Sequence, residues 1–277
     1  MRAPLLARRP PAPPPDPLRH LLLAALLLLP ARAVAASEPD IARLLPLALD
    51  ADADARLRAR HELKRLVLAH YHRLAPEGMR LIPGRVVFGP SRVAMEGGFY
   101  LALREVTEAD FARVLSEGVG MQGARGRAVT RVTLEAARTY AALHHARIPT
   151  ADELARAARG DARFRYPWGD RFDARCVNSR EAGRGALLEP GAPAAGASPW
   201  GIEDLFGNAA EWTESTNGKE GERRRYLVVG GSFRSHVRRS GFVTYRLRAD
   251  ECQPDVGFRL ARDLPPLPLA AGGERGA

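Results

Sequence analysis

The run from Ser198 to Ser215, SPWGIEDLFGNAAEWTES, decides how this chain folds. Its Pro-Trp-Gly opening closes a long Gly/Ala/Pro loop over residues 183–201, and a polar loop follows near 215–225. Short apolar runs with strand-like and helical character lie on either side of it, punctuated by Gly and Pro. Within it, Gly207–Trp212 reads GNAAEW. Asn208, Glu211 and the carbonyls between them are hard oxygen donors of the kind that suit Ca²⁺. Loop capping by Asn208 is the plainer reading of the same residue.

Toward the C-terminus, Val228–Arg248 reads VVGGSFRSHVRRSGFVTYRLR, a strand-like run around the turn Gly230-Gly231. Ser232, Ser235, His236 and Ser240 are its candidate pocket residues. A nucleophilic triad needs Ser, His and a carboxylate to meet in space. Ser235 and His236 are adjacent, and in an extended strand they point to opposite faces. No G-x-S-x-G elbow is present. The arginines at 234, 238, 239, 246 and 248 read as solvated strand residues or as a site for an anion, which Arg pairs bidentately. Arg259, in GFR, reads as a buried structural Arg paired to a carboxylate.

Toward the N-terminus, Gly and Pro punctuate short apolar runs from Met79 onward. MRLIPGRVVFG and GGFYLALREVT read as strands. Three helices carry their own start signals: Thr107 with Asp110, Thr133 with Glu135 in the first turn, and Thr150 with Glu153 as a capping box closed by Gly160. Residues 37–76 form a helical arm stopped by Pro76, with Leu57, Leu63, Leu66, Val67 and Tyr71 near one face. Its DADADA start lacks the glycine and the closing glutamate of a calcium loop, since Ala55 and His61 stand there. His61, His70 and His72 read as solvated helix histidines.

The first 36 residues read as a secretory leader. Arg2, Arg8, Arg9 and Arg19 precede the apolar run Leu21–Leu29, and Ala33/Ala35 or Val34/Ala36 fit a small-x-small cleavage site. The apolar core is shorter than the roughly 20 residues that span a bilayer. The chain is therefore expected in the periplasm or outside the cell, and on a membrane only if the leader stays uncleaved. Export puts the two cysteines, Cys176 and Cys252, in an oxidising compartment, either as a disulfide or as two separate buried thiols.

The formal charge of +10 invites a nucleic-acid reading. All but two of the 42 basic residues are Arg, and they are scattered along the chain among 32 acidic ones. A nucleic-acid footprint clusters on one face. That partner class is set aside. The tail, residues 263–277, is rich in Pro, Gly and Ala and reads as disordered.

A series of segments then carries a family resemblance. In order they are FYLALREVTEADFARVL, RIPTADELARAARG, YPWGD, VNS, SPWGIEDLFGNAAEWTES, VVGGSFR and DVGFRLAR. The series resembles the formylglycine-generating enzyme family, the sulfatase-modifying-factor domain, over residues 79–262. The resemblance implies a loop-rich α+β fold distantly like C-type lectins. It also implies a structural calcium at Asn208 and Glu211, and a second at Asn178. The second would draw on the loop PGAPAAGAS, which offers no Asp or Glu.

Oxidising members of that family use two cysteines just after the GGS turn to hold Cu(I). Against that pattern the two positions fall at Ser235 and Ser240. A hydroxyl is a hard donor of far higher pKa than a thiol and does not replace a thiolate toward Cu(I). Cys176 and Cys252 lie outside the turn. The expectation is an exported binding or accessory protein for a peptide, protein or glycan, without copper. The enzyme alternative is an oxidoreductase that matures an exported protein. Sulfoxide synthases of the ergothioneine type, with three histidines on iron, need a longer N-terminal helical part than this.

Overall fold

Leu63, Leu66, Val67 and Tyr71 recur at helical spacing, and they anchor the first layer of the fold. The computed structural model describes residues 38–89, 92–115, 126–217 and 224–267. The leader and the tail beyond residue 267 lie outside the described residues. The expected arm is two helices: α1, Glu38–Leu44, and α2, Ala53–Arg73, with a 3-10 turn at Pro46–Leu49 between them. Asp52 caps α2 by accepting from the Ala55 N–H at 2.7 Å. Leu57, expected on the packed face, is 69% exposed, because two residues before Ala59 it projects away from the buried stripe of Ala59, Leu63, Leu66, Val67 and Tyr71.

The arm is part of the fold. Its apolar face buries against Met79, Leu81 and Tyr100. Those residues belong to β1, Met79–Ile82, and β4, Phe99–Ala102, which pair antiparallel with β9, Ala261–Asp263. Between β1 and β4 runs the hairpin of β2, Arg85–Phe88, and β3, Val93–Glu96. The Tyr100 hydroxyl donates to the Tyr71 carbonyl at 2.8 Å, and the Tyr71 hydroxyl to the Pro265 carbonyl at 3.0 Å. Residues 263–267, expected in a disordered tail, therefore close this sheet, with Leu264 and Leu267 packed on the arm's cluster.

Three capped helices follow as their sequences predict: α3, Glu108–Leu115; α4, Leu134–Leu143; and α5, Ala151–Arg159. Thr107, Thr133 and Thr150 each accept from the N–H three residues on, and Glu153 completes its box. A second sheet orders as β7-β6-β5-β8: β5, Ala210–Asn217; β6, Arg225–Val229; β7, Thr244–Arg248; and β8, Val256–Gly257. Only β5 and β8 run parallel. Trp212, fully buried, lies at the centre of the cluster between this sheet and α4, and its indole N–H donates to the Val132 carbonyl at 3.0 Å.

The stretch after GGS is not the strand expected. Ser232–Ser235 is a turn, and Val237–Ser240 is a one-turn helix, α6. Gly230 and Gly231 hold φ of +86° and +73°, which ends β6 and turns the chain out of the sheet.

Candidate functional site

The family motifs, far apart in sequence, converge on Asn208. Gly207 and Asn208 both adopt positive φ, +81° and +54°. A Cβ on Gly207 would stand 2.3 Å from the Asn178 carbonyl, so no other residue fits there. The turn aims every polar atom of Asn208 at a partner. Its Nδ2 donates to Glu105 Oε2 at 2.8 Å; its Oδ1 accepts from Asn178 Nδ2 at 3.0 Å and the Leu188 N–H at 2.9 Å. Its N–H donates to the Asn178 carbonyl at 2.7 Å, and its carbonyl accepts from the Phe233 N–H at 2.9 Å. That last bond hangs the GGS turn on the hub.

Beside it, Arg259 is completely buried, as its place in GFR predicts. Both of its edges are used: Nε and Nη2 bind Glu211 at 2.7 and 2.6 Å, and the remaining N–H groups reach the carbonyls of Ala102, Leu103 and Glu203. Glu105 and Asp204 lie close by. Burial, added to by the negative charge of Asp204 and Glu211, pushes the Glu105 carboxyl well above the ordinary range. Burial likewise pushes Asp204 up to about 6. Sequence reading passed over Glu105; its signal was its place in the EVT of the family series, beside the first capped helix.

The residues named for calcium are already engaged. Both Glu211 oxygens face a guanidinium, and Asn208 Oδ1 accepts two N–H bonds. Asn178 Oδ1 is the one buried oxygen of the three residues left without a partner. Calcium takes six to eight oxygen ligands. This arrangement is an ion-pair and amide network, and it does not fit that ion. Among the described residues no group of three or more His, Cys, Asp or Glu side chains is placed to hold a metal.

The GGS turn itself is closed by its serines. Ser232 is buried; its Oγ donates to Asp255 Oδ2 at 2.5 Å and accepts from the Arg234 N–H at 3.1 Å. Ser235, half-buried, uses its Oγ to accept from the Ser232 N–H at 2.9 Å, and its N–H returns a bond to the Ser232 carbonyl. The two hydroxyls stand 3.5 Å apart. His236 is exposed, with Nδ1 3.6 Å from Glu181 Oε1. Ser235 and His236 therefore belong to a turn and the start of a helix, not to opposite faces of a strand. No histidine hydrogen-bonds to either serine among the described residues, so no nucleophile–base pair forms. Ser240 ends α6; its side chain lies outside the described residues.

Asp255 and Glu181, neither singled out in the sequence, hold this turn from both sides. Glu181 accepts from the Ser179 hydroxyl at 2.8 Å and from the Arg238 N–H at 3.0 Å. Burial opposes its ionisation, but these donors more than offset it and keep the carboxyl below its ordinary value. The two cysteines weighed as a disulfide are both free. Cys176 ends a 3-10 turn, Ala174–Cys176, that leads into Asn178, while Cys252 is exposed in the loop after β7. Neither belongs to the GGS turn.

With the motifs placed, the chain can be set beside known proteins. The model of a family described as the sulfatase-modifying factor enzyme 1-like domain matches residues 70–264. The chain belongs to this family. It is 30% identical over 175 residues to the mouse protein named inactive C-alpha-formylglycine-generating enzyme 2, covering 56% of each chain. It is 36% identical over 91 residues to hercynine oxygenase of Mycolicibacterium smegmatis, covering 31% of this chain and 21% of that one. The chain thus spans about half the length of the first of these relatives and a fifth of the second. Among solved structures, CarF superposes with a TM-score of 0.56 at 20% identity, over 69% of this chain and 99% of that one. PvdO from Pseudomonas aeruginosa gives 0.55 at 18%, over 67% and 94%. At such identities the likeness shows the fold alone. It is the loop-rich α+β architecture expected of a sulfatase-modifying-factor domain. No described helix is long and apolar enough to cross a membrane.

Proposed function

We propose that this sulfatase-modifying-factor domain is an exported binding or accessory protein for a peptide, protein or glycan, and that it works without copper. The observation that carries the reading is at Ser235. Copper-dependent members would place a thiolate there; here a hard hydroxyl oxygen stands in its place and closes the turn through the Ser232 N–H. The chain's only thiols lie elsewhere, and burial pushes that of Cys176 up, away from the thiolate a soft metal needs. The word "inactive" in the name of the mouse relative supports the same reading. The hydrogen bonds of the turn hold it as a fixed surface, and on this reading that surface binds rather than oxidises.

The test is a Cu(I) titration of the purified chain against a competing chelator, followed by incubation with a cysteine-bearing sulfatase peptide. No stoichiometric uptake and an unchanged peptide mass are expected. One tightly held copper per chain, or the mass loss of a thiol becoming an aldehyde, would refute the reading. Export is tested separately. N-terminal sequencing of protein recovered outside the cytoplasm should start near Ala36 or Ser37, and an intact Met1 there would mean a retained anchor.

A further inference from the structure

Beside the GGS turn the surface is built from rings and guanidinium groups. Tyr166 stacks on Trp168, with centroids 5.3 Å apart and planes 8° apart, and meets Phe172 edge-on at 5.7 Å. Trp168 reaches Phe206 at 6.3 Å, and Phe206 lies 5.5 Å from Phe242. Tyr166 and Phe206 are buried, whereas Trp168, Phe172 and Phe242 are half-buried, so the cluster breaks the surface. Three arginines lie over its rings. Arg165 sits on Tyr166 at 5.5 Å, Arg238 on Phe172 at 5.9 Å, and Arg159 on Phe242 at 5.8 Å. The patch is tied to the turn, because the Tyr166 hydroxyl donates at 3.0 Å to the carbonyl of Arg238, three residues after Ser235.

Several other arginines are neutralised by carboxylates, as at Arg138–Glu214, Arg147–Glu153 and Arg259–Glu211. These three guanidiniums have no carboxylate partner among the described residues. Arg165 Nη2 reaches only a carbonyl, at 3.4 Å, and Arg159 Nε is buried with no partner at all. Two neighbouring carboxylates accept from backbone instead: Glu181 from the Arg238 N–H and Asp170 from the Arg165 N–H. A guanidinium with its face on a ring keeps its edge donors for a planar oxyanion, which it grips bidentately. Aromatic residues with Arg are also the side chains that dominate protein-binding surfaces, and Arg clusters read acidic motifs.

We propose that this patch is a subsite for an acidic peptide segment. Carboxylate side chains would seat on Arg159, Arg165 and Arg238, and apolar neighbours against the exposed faces of Trp168 and Phe172. The inference rests on the binding-protein reading above and names its ligand. Rings separate the cations, so apolar area interrupts the charge. A peptide that alternates acidic and apolar side chains covers both; a uniformly sulfated glycan leaves the rings bare.

The full chain is titrated, by fluorescence anisotropy, into a labelled peptide of interspersed Glu and Leu, its Gln-for-Glu counterpart, and a sulfated oligosaccharide. Saturable binding of the Glu peptide is expected, with no binding of the Gln peptide. The R165Q/R238Q variant should weaken it about tenfold or more, the scale of losing interface anchors. The R58Q/R73Q variant, with the same loss of charge on exposed faces of α2, should leave it unchanged. Circular dichroism checks that both variants fold. Equal weakening in the two variants would reduce the effect to net charge and overturn the subsite. So would absence of saturable binding, or tighter binding of the oligosaccharide than of the peptide. Gln-peptide binding untouched by either variant would overturn the subsite yet leave the binding-protein reading standing, since that reading falls on copper uptake and peptide mass.

Discussion

Glu211→Gln is the sharpest perturbation of the buried hub. Glu211 and Arg259 are both fully buried, and the carboxylate takes two of the guanidinium's N–H groups at 2.7 and 2.6 Å. Gln keeps the volume and one acceptor. Its amide nitrogen, however, points a donor at a donor, and the Arg259 charge is left uncompensated. Removing one member of a buried ion pair costs about 3–5 kcal/mol. Each kcal/mol shifts Tm by about 2–4 °C in a domain of this size, so a fall of roughly 6–20 °C is expected. The assay is thermal and urea unfolding followed by circular dichroism and by tryptophan fluorescence, since Trp212 lies one residue away. A companion, E211L/R259M, leaves neither member of the pair facing an absent partner and should cost less than E211Q at pH 5, where Asp204 is protonated, although the carbonyls of Ala102, Leu103 and Glu203 lose their donor. Two results would refute the reasoning. One is an E211Q loss below about 1 kcal/mol, as expected for an exposed pair. The other is recovery of the lost stability with millimolar calcium, which would make Glu211 a cation ligand.

Other consequences follow from the same geometry. Wild-type Tm should not differ between excess EDTA and millimolar calcium, and a calcium-dependent rise of several degrees would reinstate the ion. Burial raises the Asp204 carboxyl from 3.8 to about 6, so the stability it contributes is full below pH 3.8 and is lost as pH rises through 6. Asp204→Asn, uncharged throughout and tolerant of the local φ of +56°, should stabilise at pH 7.5 by up to about 3 kcal/mol and change little at pH 4; equal effects in urea titrations at the two pH values would sink this account. Ser232→Ala strands the Arg234 N–H and an Asp255 oxygen and should cost about 1–3 kcal/mol, against about 1 kcal/mol for Ser235→Ala; the reverse order by chemical denaturation would mean that Ser235 is the anchor of the turn. Thr150→Ala removes a cap and its box, for about 1 kcal/mol by the same measurement.

What was legible in the sequence was what is local. Thr107, Thr133 and Thr150 cap helices because a hydroxyl and an N–H three residues on need no distant partner. Arg259 was readable as buried and paired because its motif fixes its surroundings. The misses have a common cause. The run after Gly231 has the residue types of a strand, but Asp255, some twenty positions later, draws Ser232 into a turn. Leu57 looked like a core residue by period alone, and only the packing of α2 on β1 and β4 shows where the contact face lies. Asn208 and Glu211 have the donor chemistry of a calcium site. What they do with it depends on Arg259, Asn178 and Leu188, which reach them from three other segments.

The hub also fixes the shape of the turn. Ser235 is held by Ser232; Ser232 is held by Asp255; the Phe233 N–H is held by the Asn208 carbonyl; and Asn208 is locked by Glu105, Asn178 and Leu188. None of these bonds passes through a cysteine or a metal. Serine is close to cysteine in size, and its hydroxyl accepts the Ser232 N–H more strongly than a thiol sulfur would. The hydroxyl at Ser235 therefore holds the turn firmly through a hard donor. The shape of the turn thus resides in a buried amide and ion-pair network. The neighbouring rings and guanidiniums are tied to the same turn, through the Tyr166 hydroxyl and the Arg238 carbonyl.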